Sequence, residues 1–314
     1  MQTLRAAVIG VGHMGRFHAQ KLAACDGVQL IAVVDTDPAR ARDIARETGC
    51  AAESDYRALL GRLDAAAVAV PTELHYEVVR GCLEAGVHVL VEKPLARSIE
   101  EADELVEIAR ARGLVLQVGH LERFNPAFRA LAADGARPLF IDIERLAPFK
   151  PRGTDVDVVL DLMIHDLDLV LALASAPVEQ VSACGFRVLT DAIDIANARI
   201  EFASGCVASV SASRVSQSSV RKLRVIRENE YVSADLQGNR LRTVRMTGSG
   251  IGEPERSFER PDALRLQAEA FVDAVRQRDA PAVGGDEGRR ALELALKVSG
   301  LVQARLARYA PVRR

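Results

Sequence analysis

The chain has 314 residues, 49% hydrophobic and 27% charged, which is enough for two domains with ordinary cores. Its formal net charge of −2 supplies no field to recruit nucleic acid or an anionic membrane, and no apolar run of about 18 residues offers a membrane span. The five cysteines (Cys25, Cys50, Cys82, Cys184, Cys206) are odd in number and form no CxxC, so reduced thiols in the cytoplasm are expected, with no zinc site and no disulfide framework.

The opening run MQTLRAAVIG reads as a strand and not as a signal peptide. Strand Leu4–Ile9 leads into a helix over 14–24, then a strand over 30–34. Asp37 is placed to cap the next helix, with Pro38 at its first position. A third strong strand covers 65–70, followed by a helix over 73–85. A fourth strand covers 87–91, and Ser98 with Glu101 forms a capping pair for the helix after it. A fifth strand covers 114–118. Near-continuous apolar strands alternating with helices predict a doubly wound parallel sheet covered on both faces.

From about residue 122 the pattern changes. A helix is expected from Asn125-Pro126 and another within 156–174. Strands with period-two alternation are expected around 139, 178–187, 193–202, 206–213, 221–227, 230–236 and 240–246. In the 206–213 run, Cys206, Ala208, Val210 and Ala212 share one face, and Ser209, Ser211 and Ser213 the other. The run 248–252 reads as a loop. Two helices close the chain, the first with an apolar stripe at Leu264, Ala268, Phe271 and Val275. The expected organisation is an α/β Rossmann domain over 1–121 and an α+β domain over 122–314 with a large, mostly antiparallel sheet.

Gly10, Gly12 and Gly15 form G-x-G-x-x-G between a strand and a helix, where backbone can approach a pyrophosphate at a helix N-terminus. His13 and Met14 lie within the loop. Asp35 ends the second strand 20 residues after Gly15, where a carboxylate takes ribose hydroxyls; with Thr36 after it, the pattern favours NAD over NADP, although Arg40 and Arg42 are close by. Pro71, Thr72 and His75 follow the third strong strand and Glu92-Lys93 follows the fourth, so all lie at the carboxyl edge where such sheets bind ligands. For His75 a solvent-facing place in the first helical turn is the plain alternative. Pro94 biases Lys93 away from helical geometry, and a partly desolvated lysine there can act as acid or base; a surface lysine at a strand end is the plain alternative. His120 follows the fifth strand. In DLMIHDLD, Asp161, His165 and Asp168 are spaced to share one face of a leucine-rich helix, which fits either a substrate cleft or a structural His–Asp pair. No further ligand cluster supports a metal.

Taken in order, GVGHMGRFHA, EKPLA, GHLERFNPA and DLMIHDLD resemble the motifs of the Gfo/Idh/MocA family of sugar oxidoreductases, over essentially the whole chain. The resemblance implies that Lys93, Asp161 and His165 are the catalytic lysine, aspartate and histidine, moving the proton of a sugar hydroxyl while NAD takes the hydride. It also implies a homodimer or homotetramer joined through the open face of the second sheet; that sheet carries Arg221, Lys222, Arg224, Arg240, Arg242 and Arg245, for which a basic solvated face is the plain alternative. Many members carry glycine where this chain has Met163, and asparagine where it has Leu121. The runs FKPRGTDVDVVLDLMIHDLD, DIANARIEF and SASRVS are similar to a subgroup that oxidises the C3 hydroxyl of UDP-N-acetylglucosamine, upstream of a PLP-dependent aminotransferase that makes a 3-amino sugar for lipid A. In that reading Lys93, His120, Arg123, Asn125, Lys150, Arg152, Asp161 and His165 meet the substrate, with Lys150 and Arg152 near its diphosphate. A flexible basic loop is the plain alternative for Lys150 and Arg152. A dehydrogenase of another sugar or inositol, and a non-catalytic NAD-binding regulator, are the competing functions.

Overall fold

The computed structural model describes residues 3–150, 156–248 and 250–309, and structural counts below refer to those residues. They divide into two compact units. The first contains the chain up to Leu121 together with Asp262–Arg289, and the second contains Glu122–Pro261 together with the chain from Arg290 onward.

The first unit begins with β1 (Leu4–Ile9), α1 (His13–Ala23), β2 (Val28–Val34), α2 (Pro38–Thr48), β3 (Ala51–Glu53), β4 (Ala65–Val68), α3 (His75–Glu84), β5 (His88–Val91), α4 (Ile99–Arg112) and β6 (Leu116–Val118). The strands form a parallel six-stranded sheet in the order β3-β2-β1-β4-β5-β6. Its central strands are buried at nearly every residue, as a sheet covered on both faces requires. The helix starts follow from local chemistry. The Asp37 carboxylate accepts from the N–H groups of Ala39 and Arg40, and Ser98 Oγ accepts from that of Glu101, each cap contributing about 1 kcal/mol. Strand β3 was not anticipated: three residues at a sheet edge are too short to show a period.

The second unit opens with α5 (Pro126–Ala132) and β7 (Phe140–Leu146). A π-helical turn, Val159–Met163, then runs into α6 (Ile164–Ala174). Next come β8 (Val178–Phe186), β9 (Ile195–Phe202), β10 (Val207–Ser213), β11 (Val220–Arg227), β12 (Glu230–Asp235), β13 (Arg240–Thr247), β14 (Gly250–Gly252) and β15 (Glu255–Ser257). These make a nine-stranded sheet in the order β14-β13-β12-β11-β7-β10-β9-β8, with β15 also on β13. Pairing is antiparallel except between β7 and β10. The alternation in β10 holds for most of the strand: Ala208, Val210 and Ala212 are buried in the core with Ile143, Met163, Leu167 and Leu223, while Ser209 and Ser211 are half-exposed. Ser213, expected with them, is buried, its Oγ accepting from the Val215 N–H. The run 248–252, expected as a loop, instead contributes β14, since Gly250 to Gly252 pair with Arg245 to Thr247 and the Thr247 hydroxyl donates to the Gly250 carbonyl at 2.8 Å.

The chain ends with α7 (Ala263–Gln277) and α8 (Gly285–Tyr309). Sequence reading assigned all of 122–314 to one domain, whereas 262–289 packs in the first unit. Ala268, Phe271 and Val272 of α7 join the core of Val8, Leu22 and Val33. Asp262 pairs with Lys21 at 2.7 Å, Gln117 donates to the Gln267 carbonyl at 3.1 Å, and Arg276 donates to the Asp26 carbonyl at 2.9 Å. An apolar stripe announces a buried helix face but not which core receives it. No helix among the described residues is long and apolar enough to cross a membrane.

Asp194, fully buried before β9, organises the loop that precedes it. Its Oδ2 accepts from the N–H groups of Val188, Leu189 and Thr190 at 2.7–2.9 Å, and its Oδ1 accepts from the Thr190 hydroxyl. Burial opposes the charge, but these donors outweigh it and hold the carboxyl down at about 2. A folded-state pKa below the unfolded one stabilises the protein above roughly pH 4, and that share is lost as pH falls from about 4 to about 2. The expected share is about 2 kcal/mol. In Asp194→Ala the stability deficit measured by urea unfolding at pH 7 should shrink by about half of that share, about 1 kcal/mol, at pH 3; a pH-independent deficit would refute the assignment.

Candidate active site

In the first unit the sheet register aligns the site. Ile9 pairs with Val34 and with Val68, Val68 with Val91, and Val91 with Val118. These residues form one row across the sheet. The residues just beyond it are Gly10, Asp35, Ala69, Glu92 and Gly119, so the segments singled out in the sequence emerge along one carboxyl edge. The strand order reverses between β1 and β4, the switch point at which doubly wound sheets open a crevice.

The glycine loop is built by close approach. Gly10 has φ +82°, and a Cβ on it would lie 2.8 Å from the Ala69 carbonyl oxygen. A Cβ on Gly15 would lie 1.8 Å from the Gly10 oxygen, so neither position admits a side chain without moving backbone. Gly12 differs: nothing lies within 4 Å of where its Cβ would be, and it starts α1 without a side-chain cap. This leaves an open helix N-terminus, the geometry that receives a pyrophosphate. A cavity of about 680 Å³ opens beside it, lined by Val11, Gly12, His13 and Arg40 among others. The His13 ring is exposed and stands edge-on to Phe17, while Met14 is half-buried. Asp35 accepts from the Val11 N–H at 3.0 Å and the Asp37 N–H at 2.9 Å, and Arg40 Nη1 lies 3.3 Å from both its oxygens. Arg40 is thus matched by Asp35, and Thr36 is exposed.

At the other end of the row, Glu92 Oε1 meets His18 Nε2 at 2.6 Å. Burial favours the neutral acid, but the hydrogen bond from His18 and the neighbouring charge of Lys93 hold the carboxyl below its usual range. A Cβ on Gly119 would press on Glu92 Oε2 at 3.0 Å. Lys93 is half-buried directly after Glu92, before a cis peptide to Pro94. His120 is buried, its backbone N–H donating to the Val118 carbonyl at 2.8 Å. Pro71 is exposed and Thr72 half-exposed. His75 is not solvent-facing: it is 1% exposed, with Nδ1 2.8 Å from the Pro94 oxygen and Nε2 3.0 Å from the Val70 oxygen.

In the second unit Asp157 starts the π turn. Its Oδ1 accepts from the N–H groups of Val159 and Leu160, and its Oδ2 accepts from the Ser299 hydroxyl at 2.7 Å. Asp161 lies within the turn and His165 just after it, both half-buried. The expected third member of their face is absent, because Asp168 is buried and bound by Arg123 through Nε at 2.6 Å and Nη2 at 2.9 Å. The π turn, Val159–Met163, shifts the phase of Asp161 relative to α6, whereas His165 and Asp168 keep regular helical spacing. Arg123, expected at the substrate, therefore has its fork committed to Asp168. Asn125 is the α5 cap: Oδ1 accepts from Ala127 and Phe128, and Nδ2 donates to the Leu236 carbonyl and Asn239 Oδ1. Its whole amide is used within the unit, leaving no group for a ligand. Lys150 is exposed, and Arg152 lies outside the described residues.

Sequence reading missed the buried network behind His165. Arg145 donates to Asp166 at 2.7–3.0 Å and to Glu122 at 2.9 Å, and Arg221 reaches Glu122 at 3.0 Å. Burial works against the Arg145 charge, but the two carboxylates more than restore it. No signal at positions 122, 145 and 166 could have joined them, since only the fold brings them together. The arginines on β11 to β13 are likewise matched by acids: Arg224 by Asp142 and Glu144, Arg240 by Asp235, Arg242 by Glu253.

The open N-terminus at Gly12, the interlocked Gly10 and Gly15, and Asp35 at the next strand end fit a dinucleotide. Comparison with known proteins agrees. The oxidoreductase family model with an NAD-binding Rossmann fold matches residues 4–120, and the GFO/IDH/MocA C-terminal domain matches residues 145–232. The chain is 41% identical over 312 residues to UDP-N-acetylglucosamine 3-dehydrogenase of Acidithiobacillus ferrooxidans, covering 97% of this chain and 99% of that one. The solved structure of that enzyme superposes with a TM-score of 0.92 over the same shares. Scyllo-inositol 2-dehydrogenase (NAD(+)) of Bacillus subtilis is 28% identical over 93% of this chain and 92% of its own length. Levoglucosan dehydrogenase in complex with NADH, 19% identical, shares the fold with a TM-score of 0.87 over 96% of this chain and 98% of its own. The chain therefore belongs to the Gfo/Idh/MocA family of oxidoreductases, and its cofactor is NAD.

Proposed function

We propose that the protein oxidises the C3 hydroxyl of UDP-N-acetylglucosamine to the 3-keto sugar nucleotide. The observation that carries this reading is the 41% identity to a UDP-N-acetylglucosamine 3-dehydrogenase across nearly the whole of both chains. The backbone N–H groups at Gly12 to Met14 hold the pyrophosphate of the cofactor, and Asp35 takes its ribose hydroxyls. When bound, NAD accepts the hydride from the carbon being oxidised. Lys93 Nζ takes the proton of the hydroxyl on that carbon, and Asp161 and His165 hold the hydroxyl and carry the proton onward. Glu92, Thr72 and His120 shape the edge along which the ligands lie, and Lys150 with Arg152 meets the diphosphate.

A 3-keto sugar nucleotide is the substrate that a PLP-dependent aminotransferase requires, which suits a step towards a 3-amino sugar for lipid A. In the second sheet Ile226 and Tyr231 are exposed among the matched charges, a surface suited to joining copies into a homodimer or homotetramer. The test is incubation with NAD and UDP-N-acetylglucosamine while following NADH absorbance. No signal, even with the aminotransferase drawing off the ketone, would overturn the reading. Turnover of an inositol or free hexose in its place would move the protein to the inositol branch represented by the Bacillus subtilis relative.

A further inference from the structure

His75 stands at the start of α3 with both ring nitrogens against backbone oxygens, Pro94 at 2.8 Å and Val70 at 3.0 Å. A neutral imidazole carries one N–H, and a carbonyl can only accept. Burial lowers the pKa of the ring, opposing the doubly protonated form, although both carbonyls and the acids Glu92 and Glu73 favour it. In the neutral ring only one contact is a hydrogen bond, and the shorter one, to Pro94, is the better candidate. Pro94 directly follows Lys93. Val70 follows Ala69, whose carbonyl is packed so tightly on Gly10 that a Cβ there would lie 2.8 Å away. One ring thus joins the backbone that carries Lys93 to the backbone that shapes the cofactor loop.

We propose that His75 is a positioning residue for Lys93: its Nδ1–H holds the Pro94 carbonyl, and so fixes the turn that carries the lysine relative to the end of β4. The assignment of a reaction to Lys93 rests on the proposed oxidation, but the placement of the lysine does not, and the two are tested separately. In His75→Asn the side-chain amide can replace the Nδ1 donor, whereas in His75→Gln it replaces a donor at Nε2. The chain has few lysines, Lys21, Lys93, Lys150, Lys222 and Lys297. Reductive methylation with ¹³C-formaldehyde therefore gives a readable NMR spectrum, with Lys93 assigned through Lys93→Arg.

The expected result is a displaced Lys93 methyl signal in His75→Gln, a signal near the wild-type position in His75→Asn, and the other lysines unmoved in both. In the oxidation assay kcat should fall on the order of a hundredfold in His75→Gln, with the KM for NAD unchanged and His75→Asn close to wild type. An unmoved Lys93 signal in both variants would overturn the proposal. So would unfolding of both, because the ring would then hold the unit together and not the turn. If the wild type oxidises no UDP-sugar, the functional reading fails while the Lys93 signal still decides the role of His75.

Discussion

Lys93→Met should lower kcat for UDP-N-acetylglucosamine oxidation on the order of a thousandfold, the scale of a lost general base, while leaving NAD affinity nearly unchanged. The asymmetry follows from where the two tasks sit. In the proposed binding mode the anion goes to the α1 N-terminus at Gly12 and the ribose to Asp35, which is held by the Val11 and Asp37 N–H groups and not by the lysine. Methionine keeps the length and much of the apolar stem of lysine but offers no amine. Steady-state NADH production and a fluorescence titration of NAD measure the two quantities independently. Activity within tenfold of wild type would remove Lys93 from the role of base, and a collapse of NAD binding would show that the lysine serves the cofactor instead.

The second large effect is structural. Arg145→Met should destabilise the second unit by about 3–5 kcal/mol, lowering its melting temperature by about 10 °C. Removing the guanidinium leaves the buried Asp166 carboxylate without the donor that holds it and Glu122 with Arg221. The penalty is that of stranded charge and not of a lost attraction. Replacing Arg145 by Met and Asp166 by Leu together should therefore recover part of the loss. Calorimetry on both variants checks this, and a double variant less stable than Arg145→Met would contradict the argument. Because Asp166 is the residue after His165, His165 should lose order with the network, and activity should fall with it.

Much of the first unit was legible because local rules and the global fold agree there. Asp37 before Pro38, Ser98 before Glu101, and the glycine spacing each state a backbone geometry that a few neighbouring residues decide. The second unit was legible as strands, through alternation, but its charged residues were not legible as partners. Arg123 looked like a substrate ligand, and the structure spends it on Asp168; Asn125 looked like a cleft residue, and it caps its own helix. A polar side chain in a motif has the same spelling whether it serves a ligand or the fold.

The amino-acid sequence by itself determined the Rossmann unit, the glycine loop with its acid, the lysine at a strand end and the strand-rich second unit, because these rest on periods and spacings within a few tens of residues. Only the tertiary structure decided that 262–289 returns to the first core, that Asp161 lies in a π turn while Asp168 is buried and bound by Arg123, and that His75 is buried against the Pro94 and Val70 carbonyls. Each of these depends on which surfaces meet, and packing between residues distant in the chain leaves no local pattern to read.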